Sequence, residues 1–380
     1  MRRLQPKENR AVRLIVRYSP QTSRARPVFT RIMKVNVKLL PLSLIALILW
    51  SCGNDEESPP PDITNISSPV ALVRFDRELM SLDTADLAGG VAELETRHPE
   101  FTDVYLRNIL PLRRGDLSPK EQMMALKAFL VFPLIAEVDS LTRARFPDAE
   151  LEKQRAGFEE ALRYYKYYLP DAARPDTLTA FFSQFELAAV LYGDGDMAAG
   201  LEFFLGPEYD YQRVDPRETI FSGYLARTYT PAHMTSKLMQ PLIEDRVPRP
   251  RGGRLIDNLI YEGKKLYLLD KVLPFTHDSI IHEVTGEQMD WLKANEVPIY
   301  AHLQKEKHLY GTDPTMIKKY TQASPSTQGM PTDAPGRAVN FVGKRIVEAY
   351  VRANPGVTMS RLLEISDGQK ILAGARYKPK

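Results

Sequence analysis

Apolar and polar positions alternate in blocks that predict a mostly helical chain with a few strands. Val70–Phe75 reads as an opening strand, and amphipathic helices follow from Asp76-Arg77 through Tyr168. Leu178–Val190 and Leu201–Leu205 are short apolar runs on either side of Tyr192-Gly193-Asp194-Gly195-Asp196, where two glycines among acids predict a turn between strands. From Thr230 onward the period is helical. Thr285-Gly286-Glu287-Gln288 fits a capping box, and Asp313-Pro314 supplies an N-cap followed by proline at the first helical position. No internal repeat or second linker divides the region, so the fold class is α+β: one mostly helical domain with a small sheet, over residues 69–380.

Ahead of that domain the pattern changes. From Met33 come Lys34 and Lys38, an apolar run Leu39–Trp50 broken by Pro41 and Ser43, and then Ser51-Cys52-Gly53. A basic start, a hydrophobic stretch too short to span a bilayer and a small residue before a cysteine have the layout of a lipoprotein signal, residues 33–51, with Cys52 as the lipid attachment point. Trp50 is bulkier than the usual lipobox residue. An uncleaved anchor ending at Cys52 is the other reading, and both place the remainder outside the cytoplasm. Residues 1–32 are arginine-rich, lack apolar periodicity and precede a complete signal, so they read as an extension upstream of the true start. Residues 52–68, acidic and then proline-rich, hold few large apolar groups and read as a tether.

Charge then changes its meaning. The 380 residues carry a formal charge of +3, but residues 1–51 hold 11 Lys and Arg against the single acid Glu8; without them 40 basic and 47 acidic groups remain, a charge of −7. A nucleic-acid partner is therefore not expected. The single cysteine excludes a disulfide framework and a cysteine-based zinc site.

Candidate chemistry is sparse. The chain has no dinucleotide fingerprint, no phosphate-binding loop and no nucleophile elbow. Asp194-Gly195-Asp196 lacks the spaced acids of a calcium loop and reads as a turn. His282-Glu283-Val284-Thr285-Gly286 opens like a zincin motif but has glycine where the second histidine must stand, so it is no zinc site. At about 100° per residue, Leu255, Leu259, Glu262, Leu266, Leu269 and Leu273 share one helix sector, which puts Glu262 in an apolar stripe. A carboxylate there must pair with a cation, accept several hydrogen bonds, bind a metal or stay protonated. Gly263 beside it would let another backbone approach closely. On the preceding helix His233 and Lys237 stand four residues apart, with Pro241 kinking the helix or starting a second turn. In a gluzincin-like layout these are the positions of His-Glu-x-x-His, with the acid of the next helix as third ligand. In this chain the general base and second histidine are missing, and the Lys237 ammonium would stand in the cation's place near Glu262. Glu262, His233 and Lys237 are thus expected as buried polar structural residues, with no catalytic residue, metal or cofactor assigned.

Several stretches in order carry a resemblance: Arg74-Phe75-Asp76; Tyr261-Glu262-Gly263-Lys264-Lys265-Leu266-Tyr267; Gln288 through Trp291 to Asn295-Glu296; Ala334-Pro335-Gly336-Arg337 with Gly343, Ile346-Val347 and Tyr350; and Arg376-Tyr377-Lys378-Pro379. Together they resemble the GldB family, gliding-motility lipoproteins of the Bacteroidetes, over most of Val70–Lys380. In the last long helix Val339, Val342, Ile346 and Tyr350 form a stripe with Gly343 on its face, as tight helix packing requires. The helical layout is similar to the zincin metallopeptidases in degenerate form. The resemblance implies a lipid-anchored cell-envelope protein needed for gliding and linked to the type IX secretion machinery. It implies protein partners there, membrane contact through the lipid on Cys52, no known small-molecule substrate and no established catalysis. Two other classes stay open: a metal-dependent hydrolase using Glu262 with His233, His277 or His282, and a periplasmic ligand-binding module.

Overall fold

The computed structural model describes residues 59–380, apart from Arg114 and Asp116. The expectations for residues 1–32, the signal 33–51 and Cys52 lie outside the described residues. β1 (Ala71–Val73) leads into six helices: α1 (Phe75–Met80), α2 (Leu87–Arg97), α3 (Pro99–Val104), α4 (Pro119–Leu130), α5 (Pro133–Arg145) and α6 (Asp148–Tyr168). Then come β2 (Thr177–Phe181), β3 (Ala189–Tyr192) and β4 (Asp196–Gly200), followed by α7 (Gly223–Ala226), α8 (Pro231–Arg246), α9 (Leu255–Val272), α10 (Asp278–His282) and α11 (Gly286–Ala294). The chain closes with α12 (Glu296–Lys305), α13 (Pro314–Thr321), α14 (Ala338–Ala353), α15 (Met359–Glu364) and α16 (Gly368–Ala375). The fold is α+β, as the patterning predicts.

The four strands form one mixed sheet in the order β1-β2-β4-β3. β1, β2 and β4 run parallel, with Ala71 opposite Thr177 and Leu178 opposite Met197, while β3 returns antiparallel along β4 with Val190 opposite Ala198. Gly193 and Gly195 make the hairpin turn at φ +54° and +123°, values that a side chain opposes. Alternation along the strands sends Leu178, Ala180, Met197 and Ala199 into a core shared with α6 and α8, and Phe181 and Ala198 into a second core with Phe75, Phe101 and Tyr105 of the N-terminal helices. A third core lies between α9, α14 and their neighbours.

Three sequence expectations need correction. The opening strand stops at Val73, because Arg74 forks onto Asp76 (2.9 and 2.7 Å) and Phe75 turns inward against Phe101 and Tyr105. Leu201–Phe204 is a 3-10 turn rather than a strand. Residues 59–68, expected as the end of the tether, lie against α6: Ile63 is buried, and Arg163 donates to the carbonyls of Ile63 (2.6 Å) and Ile66 (2.8 Å). Residues 59–68 therefore pack as part of the same compact unit as 69–380.

The crossing of α9 and α14 is the tightest contact between long helices. A methyl group added at Gly263 would overlap the backbone of Gly343, and one added at Gly343 would overlap the carbonyl of Leu259. The two glycines expected to permit close approach thus meet one another. Packing from α14, α16, α8 and α6 buries α9 on nearly every side.

Candidate functional site

α8 lies over β3 and β4 and packs beside α9 and α10. It runs unbroken through Pro241 to Arg246, so the proline neither ends it nor starts a new element. His233, Lys237 and Gln240 recur at helical spacing on one flank. The partner of Lys237 is Glu283, the residue after α10, and not Glu262. The Lys237 ammonium donates to Glu283 Oε1 at 2.5 Å, Gln240 donates to the same oxygen at 2.8 Å, and Arg337 donates to Oε2 at 3.0 Å. Arg227 reaches the Glu283 backbone carbonyl at 3.3 Å.

Local backbone explains why Glu283 can reach these groups. It ends α10 in the left-handed region at φ +55°, a conformation uncommon outside glycine, and Arg337 precedes α14 at φ +64°. The two side chains meet at the flank of α8 that carries Lys237 and Gln240. Burial raises the carboxyl of Glu283, but the charges of Lys237 and Arg337 and the hydrogen bond from Gln240 hold it well below the ordinary carboxylate range. His233 bonds Thr230 Oγ1 through Nδ1 at 2.8 Å; burial and the Lys237 charge push its imidazole down to about 4. His282, fully enclosed beside Phe341, is pushed down to about 3 by burial and by Lys344.

Glu262 is half-buried and paired with Lys265 at 2.9 Å on its own helix. The stripe reading misplaced it because α9 has no single buried face. Its least covered strip runs through Asn258, Glu262, Lys265 and Leu266, and the polar residue driven inside is Lys264. Lys264 donates to the carbonyls of Leu363 (2.8 Å) and Ile365 (3.0 Å), and burial pushes its ammonium down to about 8. His277 caps α10 by accepting from the Ser279 backbone N–H at 3.2 Å and is exposed, whereas His282 is buried. Among the described residues no three His, Cys, Asp or Glu side chains are placed to hold a metal ion.

Beside Glu283 opens a cavity of about 130 Å³. Three carboxylates, Glu244, Glu262 and Glu283, line it together with the cations Lys265 and Arg337 and the neutral Gln240, His282 and Asn340, and Leu266, Leu269, Ile281 and Leu292 make an apolar side. Two buried wall residues have unpartnered polar atoms: His282 Nε2 and Asn340 Oδ1. Sequence reasoning passed over Gln240, Arg227 and Asn340. The adjacency His282-Glu283 and the run Ala334–Arg337 were the signals available for the rest.

The stretches that carry the resemblance are structural joints in this fold. Arg74 and Asp76 lock the first turn, Tyr261–Tyr267 is the interior of α9, and Gly336 sits where a Cβ would strike the Ser324 carbonyl, which aims Arg337 at Glu283. Tyr377 donates to Glu296 at 2.9 Å, and Arg345 grips the same carboxylate at 3.0 Å. A model of the family described as gliding motility protein GldB matches residues 56–379. The chain belongs to the GldB family. The GldB match covers the sheet, α1 through α16 and the whole Glu283 cluster. No curated protein and no solved structure matches the chain. Among the described residues no helix is long and apolar enough to cross a membrane.

Proposed function

We propose that this GldB-family chain is a lipid-anchored protein of the cell envelope that serves gliding motility, and the type IX export of surface adhesins, by binding partner proteins rather than by catalysis. The match over residues 56–379 carries the motility reading. Attachment at Cys52 is supported by the lipoprotein-like layout of residues 33–52. The noncatalytic reading is supported by what stands where a zincin-like layout would need ligands. α8 lies on the sheet beside α9, its His233 and Lys237 keep the spacing of one helical turn, and the second position is an ammonium already satisfied by Glu283 and not a histidine. That arrangement fits a degenerate metallopeptidase framework in which an ion cluster replaces the metal.

Deletion of the gene should abolish gliding and adhesin export. The wild-type gene should restore both, and Cys52→Ala should restore them poorly. Normal motility and export in the deletion strain would end the proposal. Elemental analysis of the purified chain should find no stoichiometric zinc; peptide cleavage that stops on chelation would replace the noncatalytic reading with that of a hydrolase.

A further inference from the structure

A single large apolar side chain exposed to water means little, but a group of them marks a surface that something covers. Phe275, in the turn between α9 and α10, is 75% exposed, the most of any large apolar side chain among the described residues. Its ring stands 6.5 Å from that of Tyr164 on α6. Tyr164, Tyr167 and Tyr168 recur at i, i+3 and i+4, so one side of the last turns of α6 carries all three. Tyr167 is 48% exposed and packs edge-on against Tyr168 at 5.1 Å. The result is an aromatic ledge, with Phe275 standing out beside tyrosines that have an apolar ring and a polar tip.

The position of the ledge argues for what covers it. Residues 59–68 are the described stretch on the side of the proposed lipid attachment, and they are held along the same helix. Arg163 donates to the carbonyls of Ile63 and Ile66 at 2.6 and 2.8 Å, and Lys166 to that of Ser67 at 3.1 Å. The charge of Asp62 acts on the Tyr164 phenol, so this stretch lies next to the ring that Phe275 faces. Cys52 stands seven positions before Pro59 in the sequence, and a residue covers at most about 3.6 Å, so acyl chains there would draw a bilayer to this end of α6 first. The other exposed apolar group, Met124, Val131 and Phe132 on α4 and the turn after it, has no such neighbour. Among the described residues, 59–68 bond to α6 and not to α4.

The chemistry of the ledge agrees. Tyrosines settle at the headgroup level of a membrane, where the ring meets acyl chains and the hydroxyl meets water. Attachment strengthens with each apolar group buried in that layer. Lys271 lies 3.7 Å from Asp270, and Asp62 stands near Arg163, so charge neither demands nor repels an anionic surface.

We propose that the aromatic ledge of Phe275 and Tyr167 is the membrane-facing surface of this protein, seated in the headgroup layer of a lipid bilayer. The inference rests on the lipid anchoring proposed above and adds which face meets the lipid.

The test reconstitutes the lipidated full chain into vesicles of phosphatidylethanolamine and phosphatidylglycerol, with Phe275→Cys or Met124→Cys carrying a nitroxide. The label keeps an apolar group at each position, and with Cys52 blocked by its lipid it finds only the new thiol. Collision with dissolved oxygen, which concentrates among acyl chains, is compared with collision with a water-soluble nickel chelate. The expected oxygen-to-nickel ratio at position 275 is at least about threefold that at position 124, and Tyr167→Cys, the second ledge position, should follow 275. Equal ratios at 275 and 124, or a higher one at 124, overturn the proposal. Spin–spin broadening at 275 does so too, since a second copy would then cover the ledge. Chain that stays in the supernatant, with Cys52 itself open to the label, ends the anchoring reading and this inference together. Chain that sediments with the vesicles yet keeps position 275 in water ends this inference alone.

Discussion

The α9–α14 crossing and the cleft between α8 and α10 are neighbouring regions built on opposite principles. At the crossing, Gly263 meets Gly343 with no room for a methyl group, and apolar side chains surround the contact. In the cleft, an ion cluster fixes the walls and a cavity stays open beside Glu283, two of whose lining residues keep buried polar atoms without partners. Close packing specifies one arrangement and leaves nothing for a partner to do. The cleft keeps open space next to charged side chains, which is the better qualification for a binding site.

The comparison can be broken at four points. Glu283→Ala should have the largest effect, because it leaves the Lys237 and Arg337 charges facing one another in a largely buried site. The expected loss is about 3–5 kcal/mol by urea denaturation; a loss below ~1 kcal/mol would mean the cluster is not structural. Gly263→Ala or Gly343→Ala should cost about 3 kcal/mol by forcing α9 and α14 apart, and a melting temperature equal to wild type would refute the backbone contact.

Acid sensitivity comes next. The folded-state pKa of His282 is depressed to about 3 against an ordinary 6.5, so below 6.5 the unfolded chain takes up a proton that the folded chain refuses. Stability contributed by the neutral ring is therefore present above 6.5 and declines as pH falls toward 3, on the order of 1.4 kcal/mol per pH unit. Glu283, held below its ordinary value of 4.5, adds to the same decline below about 4.5, since there too the unfolded state binds the extra proton. His282→Phe should roughly halve the slope between pH 6.5 and 4.5, because His233, pushed down to about 4, contributes with the same sign; an unchanged slope would remove His282 from the account. The smallest effect belongs to Glu262→Gln. Its pair with Lys265 is partly solvated and within one helix, so the change should be within about 0.5 kcal/mol, in sharp contrast with Glu283.

That contrast also shows where sequence reading succeeds and where it stops. The hairpin glycines, the caps at Thr285 and Asp313 and the close approach at Gly263 and Gly343 were legible because each is a local demand of backbone geometry. The charged residue in the expected stripe was misplaced because periodicity assumes one buried face, whereas α9 is covered from several sides. Lys237 was expected beside Glu262 and stands beside Glu283 instead. Its partner lies 46 residues away, delivered by a left-handed backbone turn at Glu283 that no residue pattern announces. The orphaned Asn340 oxygen was invisible for the same reason, since it depends on which carbonyl occupies the other end of its amide.

The seating of Ile63 and Ile66 under Arg163 has a mechanical corollary. A pull arriving through Pro59 would be carried by the two Arg163 hydrogen bonds straight into α6, so the first helix to feel a load from that end is the one that backs the sheet's core.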